Sequence, residues 1–307
     1  MHVLAPLLPI FLLIATGAAL FKSGFLSHDF RRGLERFVYW IALPALLVVK
    51  LAEAPAIGDD ALKMFAALAI ATTLAAGIAW AYAALLRMPG PTAGTFVQAG
   101  SRGNLAFTGL PVVALAADYD PAISAKAALV LGPLVVLYNL IAVVALVAPH
   151  QRLDLRLPIR LTRSIVTNPL ILACVVGLVW NQLLGPIPAA LGETLGLLGQ
   201  TAAPLALLCL GGAMVAYRLG SQTKPAAASA VIKLAVVPLL AGLLGTALGL
   251  TDDDLRTVLI FAAAPTAVAS YVLTTQLKGD APLAAATIVL STALSLLSFA
   301  AALWWTA

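Results

Sequence analysis

The sequence predicts an all-α polytopic membrane protein: ten transmembrane helices arranged as two inverted five-helix repeats, with the fourth and ninth helices broken. Three observations predict this. The chain is 62% hydrophobic and only 10% charged, with mean hydropathy +1.03, where a soluble domain carries roughly 25% charge. Ten apolar segments reach or approach the about 20 residues that a bilayer span requires. Two of those segments, about 160 residues apart, carry helix breakers at matching places.

The segments are Leu4–Phe21, Leu34–Leu51, Ala61–Leu86, Thr95–Ala116, Ile123–Val147, Pro169–Leu184, Leu191–Tyr217, Pro225–Leu250, Leu255–Leu277 and Pro282–Trp305. The first has no Lys or Arg before it and no convincing small-residue cleavage site after its core, so it reads as a retained span and not a signal peptide. Connections are short except for residues 148–168. That basic connection divides the chain into a first repeat, 1–147, and a second, 169–307. Within it, Arg152–Ile165 alternates Leu and Ile with Arg. It is either an amphipathic interfacial helix or a loop held inside by its arginines.

Prolines recur between the halves in the same order. Ala42-Leu43-Pro44 in the second span matches Ala203-Pro204 in the seventh, and Asp120-Pro121 before the fifth matches Ala281-Pro282 before the tenth. Charge then sets orientation. With the N-terminus outside, the inner loops carry Lys22, Arg31, Arg32, Arg36, Arg87, Arg152, Arg156, Arg160, Arg163, Arg218, Lys224 and Lys278. The outer ones carry only Lys50, Lys63, Lys126 and Arg256. The positive-inside rule favours this arrangement, with both termini outside. Five spans per half is odd, so the second repeat enters inverted.

The fourth span, from Thr95, is broken at Gly103-Asn104 and again at Gly109-Leu110-Pro111. The ninth, from Thr257, is broken at Pro265-Thr266. Aligned from their threonines, Gly103 falls on Pro265 and Asn104 on Thr266. A break in hydrocarbon frees backbone groups that only protein or a wet cavity can satisfy. Paired breaks in two half-chains are the sequence mark of a secondary transporter's binding site. Half-helices that begin near the midplane present free N–H groups and positive dipole ends, a bias towards an anion.

Asn104 is the leading polar candidate, since a primary amide both donates and accepts. It either contacts substrate, caps a half-helix, or does both. Thr266 is its repeat mate, with the competing role of bonding its own helix backbone. Arg102 lies deep in an apolar span, where a charge is a functional hypothesis by default. It pairs with a substrate carboxylate, lines a vestibule, or meets a carbonyl. Lys233 is expected to snorkel to the interface. Asp59 and Lys63 share a face at i, i+4 where the third span begins and are expected to pair, with Asp60 the alternative partner, pointing elsewhere. Gln98, Tyr138, Asn139, Ser270, Tyr271, Ser291 and Thr292 are read chiefly as interhelical glue.

Enzyme chemistry finds no footing. His2, His28 and His150 lie outside the spans, and no HExxH, GxSxG or phosphate-binding glycine loop occurs. Cys174 and Cys209 lie in apolar runs without metal-type spacing. No cofactor, metal or nucleic-acid partner is implied.

At these residues the chain resembles the auxin efflux carrier family, which includes the plant PIN-type carriers and many bacterial members. Gly103-Asn104-Leu-Ala-Phe-Thr-Gly109-Leu-Pro111 resembles the Pro-Asn…Gly-x-Pro stretch of that family's fourth helix. Ala264-Pro265-Thr266-Ala267 resembles the proline break of the ninth, Asp59-x-x-x-Lys63 the acid–base pair opening the third, and Asn168-Pro169 the start of the sixth. The resemblance covers all ten spans. It implies a bile acid symporter-like fold, with scaffold and transport domains each built from both repeats, elevator-type movement and a homodimer. It also implies a carboxylate substrate, auxin-like or dicarboxylic. The family's crossover asparagine carries over to Asn104, its crossover proline to Pro265, and its support pair to Asp59 and Lys63. Two features depart from the pattern: Gly103 stands where a proline is usual, and the long hydrophilic loop of plant members is missing after Val147.

The expectation is therefore a secondary transporter of a small organic anion in a bacterial inner membrane. Its substrate lies among Arg102, Gly103, Asn104, Pro265 and Thr266, with Gly109 and Pro111 shaping the breaks. The alternatives are a sodium-coupled symporter and a non-transporting sensor.

Overall fold

The computed structural model describes residues 7–53, 59–148, 167–216 and 222–306, and these are mostly helical. Their only β-type pairing is one isolated bridge. The Arg152–Ile165 segment and Arg218 lie outside the described residues.

Each of the ten apolar segments carries helix. The first is α1 (Leu7–Lys22). The second is α2 (His28–Phe37), a π turn (Val38–Ala42) and α3 (Leu43–Ala52). The third is α4 (Asp60–Leu85). The fourth is α5 (Gly90–Ser101), a break, a π turn (Leu105–Gly109) and α6 (Leu110–Ala116). The fifth is α7 (Pro121–Val147) and the sixth α8 (Pro169–Leu183). The seventh is α9 (Ala189–Gln200) and α10 (Ala202–Ala216), separated at Thr201. The eighth is α11 (Thr223–Val231), a π turn (Ile232–Val236) and α12 (Val237–Ala247). The ninth is α13 (Asp252–Ala263), a break and α14 (Ala269–Gln276). The tenth is α15 (Ala281–Trp305).

Among the described residues, five helices are long and apolar enough to cross a bilayer alone: Asp60–Leu85, Pro121–Val147, Ala189–Ala216, Thr223–Ala247 and Ala281–Trp305. Shorter apolar helices accompany them. The second segment begins earlier than its hydropathy indicates. Ser27 caps α2 by accepting from the Phe30 N–H at 3.1 Å, and Arg31 pairs with Glu35 one turn on. Charged residues excluded from an apolar window are thus helical.

The helices pack as two groups. In one, α1 lies along α10, and α3 lies between α8 and α9. Small residues allow the approach: a Cβ on Gly211 would fall on the Ile14 carbonyl, and one on Gly177 would come 2.9 Å from the Val48 carbonyl. Packing in lipid depends on such contacts, because lipid tails are as apolar as the helices themselves. In the other group, α4, α5 and α7 pack together, α12 lies on α4 and α13, and α15 lies on α11 and α13. The two broken segments are at the centre of this second group.

Asp side chains cap both helices that follow the breaks. Asp120 accepts from the Ala122 and Ile123 N–H groups at the start of α7 (2.9 and 3.0 Å). Asp280 does the same for Leu283 of α15 at 3.1 Å. Each is followed within two residues by a proline that has no N–H to leave unsatisfied. The two cysteines are buried and free.

Candidate substrate site at the crossing of two broken helices

α5 ends at Ser101, and Arg102 turns extended (φ −91°, ψ 110°). The chain stays non-helical through Asn104 (φ −84°, ψ 68°) before the next turn begins. In α13 the helix stops at Ala263, Ala264 is extended (φ −58°, ψ 138°), and Pro265 has no N–H to continue the ladder. The two unwound stretches cross antiparallel. The Asn104 N–H donates to the Pro265 carbonyl at 2.7 Å, and the Ala267 N–H donates to the Arg102 carbonyl at 3.2 Å. Each break thus satisfies part of the other, as burial of backbone requires.

Gly103 and Thr266 face each other between those bonds. The alignment from the threonines, which set Gly103 on Pro265 and Asn104 on Thr266, compares the two repeats and not the pairing in space, where Gly103 meets Thr266. Antiparallel exchange places the closest pair between the reciprocal bonds, which linear alignment of two breaks does not anticipate. A Cβ on Gly103 would lie 3.2 Å from Lys233 Cε and 3.4 Å from the Tyr138 hydroxyl. Glycine therefore lets two further elements, those carrying Lys233 and Tyr138, close on the break.

Thr266 is fully buried. Its hydroxyl donates to the Ala99 carbonyl at 2.9 Å and its N–H to Ser291 Oγ at 3.0 Å. The side chain bonds the opposing half-helix and not its own backbone. Gln98 makes a parallel tie, donating to the Ser270 carbonyl at 3.0 Å and to Thr274 Oγ1 at 2.6 Å. Gln98 and Ser291 are thus interhelical glue, while Ser270 contributes its backbone carbonyl and its hydroxyl has no partner among the described residues.

Arg102 and Asn104 are buried, yet Arg102 Nη1 and Asn104 Nδ2 have no hydrogen-bond partner among the described residues. Thr108 Oγ1, one turn beyond Asn104, is in the same position. Leaving a buried donor unmatched costs roughly 1–3 kcal/mol. Three such atoms within one broken segment are what a site for a polar ligand provides. Tyr138 of α7 and Tyr39 of the second segment's π turn lie within electrostatic reach of the Arg102 guanidinium. Tyr39 belongs to the other helix group, so the break faces the boundary between the two. Sequence reading missed Tyr39. Its one signal, a π turn of the kind that often marks functional sites, is not visible in composition.

Lys233 overturns its expectation. It does not snorkel: it is fully buried, and its Nζ donates to the Ala262 carbonyl. Its place about two turns into the segment left both directions open to a four-carbon stem. The freed carbonyl at the end of α13 draws it inward.

The pair expected between Asp59 and Lys63 is also corrected. Lys63 Nζ sits 3.5 Å from Asp60 Oδ1. Asp59 is the residue before the helix, and it contributes its backbone carbonyl to the Leu62 and Lys63 N–H groups. Asp60 Oδ2 lies 3.8 Å from Lys126, whose Nζ bonds both oxygens of buried Asp254 at 2.9 Å. This network joins the starts of α4, α7 and α13. In the sequence Lys126 is only one of the few basic residues of the outer connections. At the other end of the bundle, Asp280 accepts from Thr92 Oγ1 (2.9 Å) and Gln222 Nε2 (3.2 Å), and its N–H donates to Thr95 Oγ1 (2.9 Å).

No curated protein matches the chain at a significant level. A family model described as membrane transport protein matches residues 2–304, nearly the whole chain. An integral membrane protein whose two broken helices cross beside unpartnered donors, and whose full length fits that model, belongs to the membrane transport protein family, the auxin efflux carrier group.

Proposed function

We propose that this protein is a secondary transporter of a small organic anion, auxin-like or dicarboxylic, that binds at the crossing of the fourth and ninth segments. The observation that carries the reading is the unpartnered pair Arg102 Nη1 and Asn104 Nδ2, buried where two half-helices begin. A carboxylate offers both donors acceptor oxygens, and the free N–H groups of the half-helices add to the attraction. Pro265 and Gly103 hold the chain open there, and Gly109 and Pro111 shape the return to helix. Thr266 bonds Ala99 and fixes the crossing's position.

The two packing groups support elevator-type movement. The group of α1–α3 and α8–α10 would be the scaffold. The group holding the crossing would carry substrate past it, with Tyr39 on the scaffold side of the boundary. The reciprocal bonds at the crossing support two inverted repeats, since a two-fold axis between Gly103 and Thr266 exchanges them. On this reading the chain is a homodimer in a bacterial inner membrane, with both termini on the non-cytoplasmic side, as the Lys and Arg bias favours.

The test is thermal unfolding of purified protein against monocarboxylates, dicarboxylates and aromatic acids. A ligand of the folded state raises the midpoint by mass action. A rise with one acid that disappears in Asn104→Ala supports the proposal. Absence of any rise across the acids, with uptake of a neutral solute into proteoliposomes, removes it.

A further inference from the structure

Lys233 is the buried charge that the anion reading leaves without a task. It stands in the π turn Ile232–Val236 and is fully enclosed. No carboxylate among the described residues pairs with it. An ammonium taken out of water needs a partner of opposite sign. Its partner is the carbonyl of Ala262, in the last turn of α13.

That carbonyl is free because of the break. In a continuing helix it would accept from the N–H four residues on, which is Thr266. The Thr266 N–H instead donates to Ser291 Oγ. The next carbonyl back, Phe261, loses its helical donor to Pro265, though the Ala264 N–H reaches it at 3.4 Å. The C-terminal end of α13 is therefore a patch of exposed carbonyl dipoles carrying about half a negative charge inside the protein. Ends of this kind, beside unwound backbone, are where broken-helix carriers coordinate a coupling cation. Here a tethered cation already sits on it, within 3.2 Å of where a Gly103 side chain would begin.

We propose that Lys233 is the resident cation of the crossing: its ammonium holds, on the Ala262 carbonyl, the place a coupling sodium ion would take, so the protein neither binds nor requires sodium. The proposal rests on reading the crossing as the carrier's site. It adds that the ion at that site is part of the chain. A tethered ammonium on the Ala262 carbonyl would neutralise the α13 end and cannot leave with the substrate.

The experiment uses purified full-length protein and sodium alone as the probe. Thermal unfolding is followed while choline chloride is replaced by sodium chloride at constant ionic strength, for wild type, Lys233→Ala and Lys233→Met. The expected wild-type midpoint does not respond to the replacement. Lys233→Ala opens the space before the Ala262 carbonyl and gains a saturable, sodium-specific rise of roughly a few degrees. Lys233→Met keeps the stem, fills the space and shows no rise. A saturable sodium-specific rise in the wild type overturns the proposal, as does a folded Lys233→Ala that ignores sodium. If Lys233→Ala does not fold, the wild-type response decides by itself. No organic anion is present, so failure here leaves the anion reading intact, and failure of the acid screen leaves the sodium result readable.

Discussion

The main-chain N–H of Asn104 donates to the carbonyl of Pro265 at 2.7 Å, and the bond is returned from Ala267 to Arg102 at 3.2 Å. The crossing is therefore held by backbone, and the Asn104 side chain is not required for it. That separation matters for function. The amide is left as a donor aimed at the break while the main chain carries the structural role.

Asn104→Ala should accordingly keep its fold and lose ligand. The main-chain bond to Pro265 survives truncation, so the unfolding midpoint should move by no more than about 1 kcal/mol in stability. A hydrogen bond to a charged group contributes about 1.5–3 kcal/mol, so affinity for the anion found in the acid screen should fall roughly tenfold to a hundredfold. Titration by thermal shift or calorimetry measures both quantities. Unchanged affinity would show that the amide is not a contact.

Gly103 and Gly109 of the fourth segment should differ in their response to alanine. A Cβ on Gly109 meets the Phe261 ring at 3.0 and 3.3 Å, and that ring is fully buried. Gly109→Ala forces a rigid neighbour to move and should cost about 1–3 kcal/mol. On Gly103 the nearest atom, Lys233 Cε, belongs to a flexible stem, so Gly103→Ala should cost less stability. Denaturation of both variants under one set of conditions tests the order. A larger loss for Gly103→Ala would contradict it.

Much of this architecture was legible in the sequence, because glycine, asparagine and proline in apolar runs have few other uses. The breaks at Gly103-Asn104 and Pro265-Thr266 and the apolar segments were readable from local chemistry. What was not readable depends on the third dimension. The facing of Gly103 and Thr266 is one such feature, because antiparallel pairing is a property of two segments together. Lys233 could turn either way, and only the orphaned carbonyl of Ala262 decides. Asp60 and Asp59 both lie within reach of Lys63 on a helical wheel. The choice follows from where α4 begins, a boundary that sequence places only to within a few residues.

Thr266 separates a structural tie from a substrate contact. Its hydroxyl donates to the Ala99 carbonyl at 2.9 Å from a fully buried position. Thr266→Val keeps the shape, removes the donor and leaves that carbonyl unmatched, so it should cost about 1–2 kcal/mol. Thr266→Ser restores the hydroxyl and should recover most of it. Anion affinity, measured on folded protein, should change little in either variant. A loss of affinity without loss of stability would reassign Thr266 to the ligand.

The acidic residues at the mouth of α4 and α13 should rank by burial and not by sequence spacing. Asp254 is 2% exposed and takes two bonds at 2.9 Å from Lys126, which keeps about a third of its side chain in solvent. Removing that carboxylate charge leaves a partly covered ammonium with a weaker acceptor, and Asp254→Asn should cost about 1–3 kcal/mol. Asp60 is more open, at 38%, and holds its lysines at 3.5 and 3.8 Å, so Asp60→Asn should cost under about 1 kcal/mol. Asp59 makes no side-chain ion pair among the described residues, and Asp59→Asn should be near neutral for stability. If Asp59→Asn instead abolishes transport in proteoliposomes while stability is unchanged, its carboxylate acts in the cycle through a state other than this one. If Asp59→Asn destabilises more than Asp254→Asn, the assignment of the ion pair to Asp60 and Asp254 is wrong.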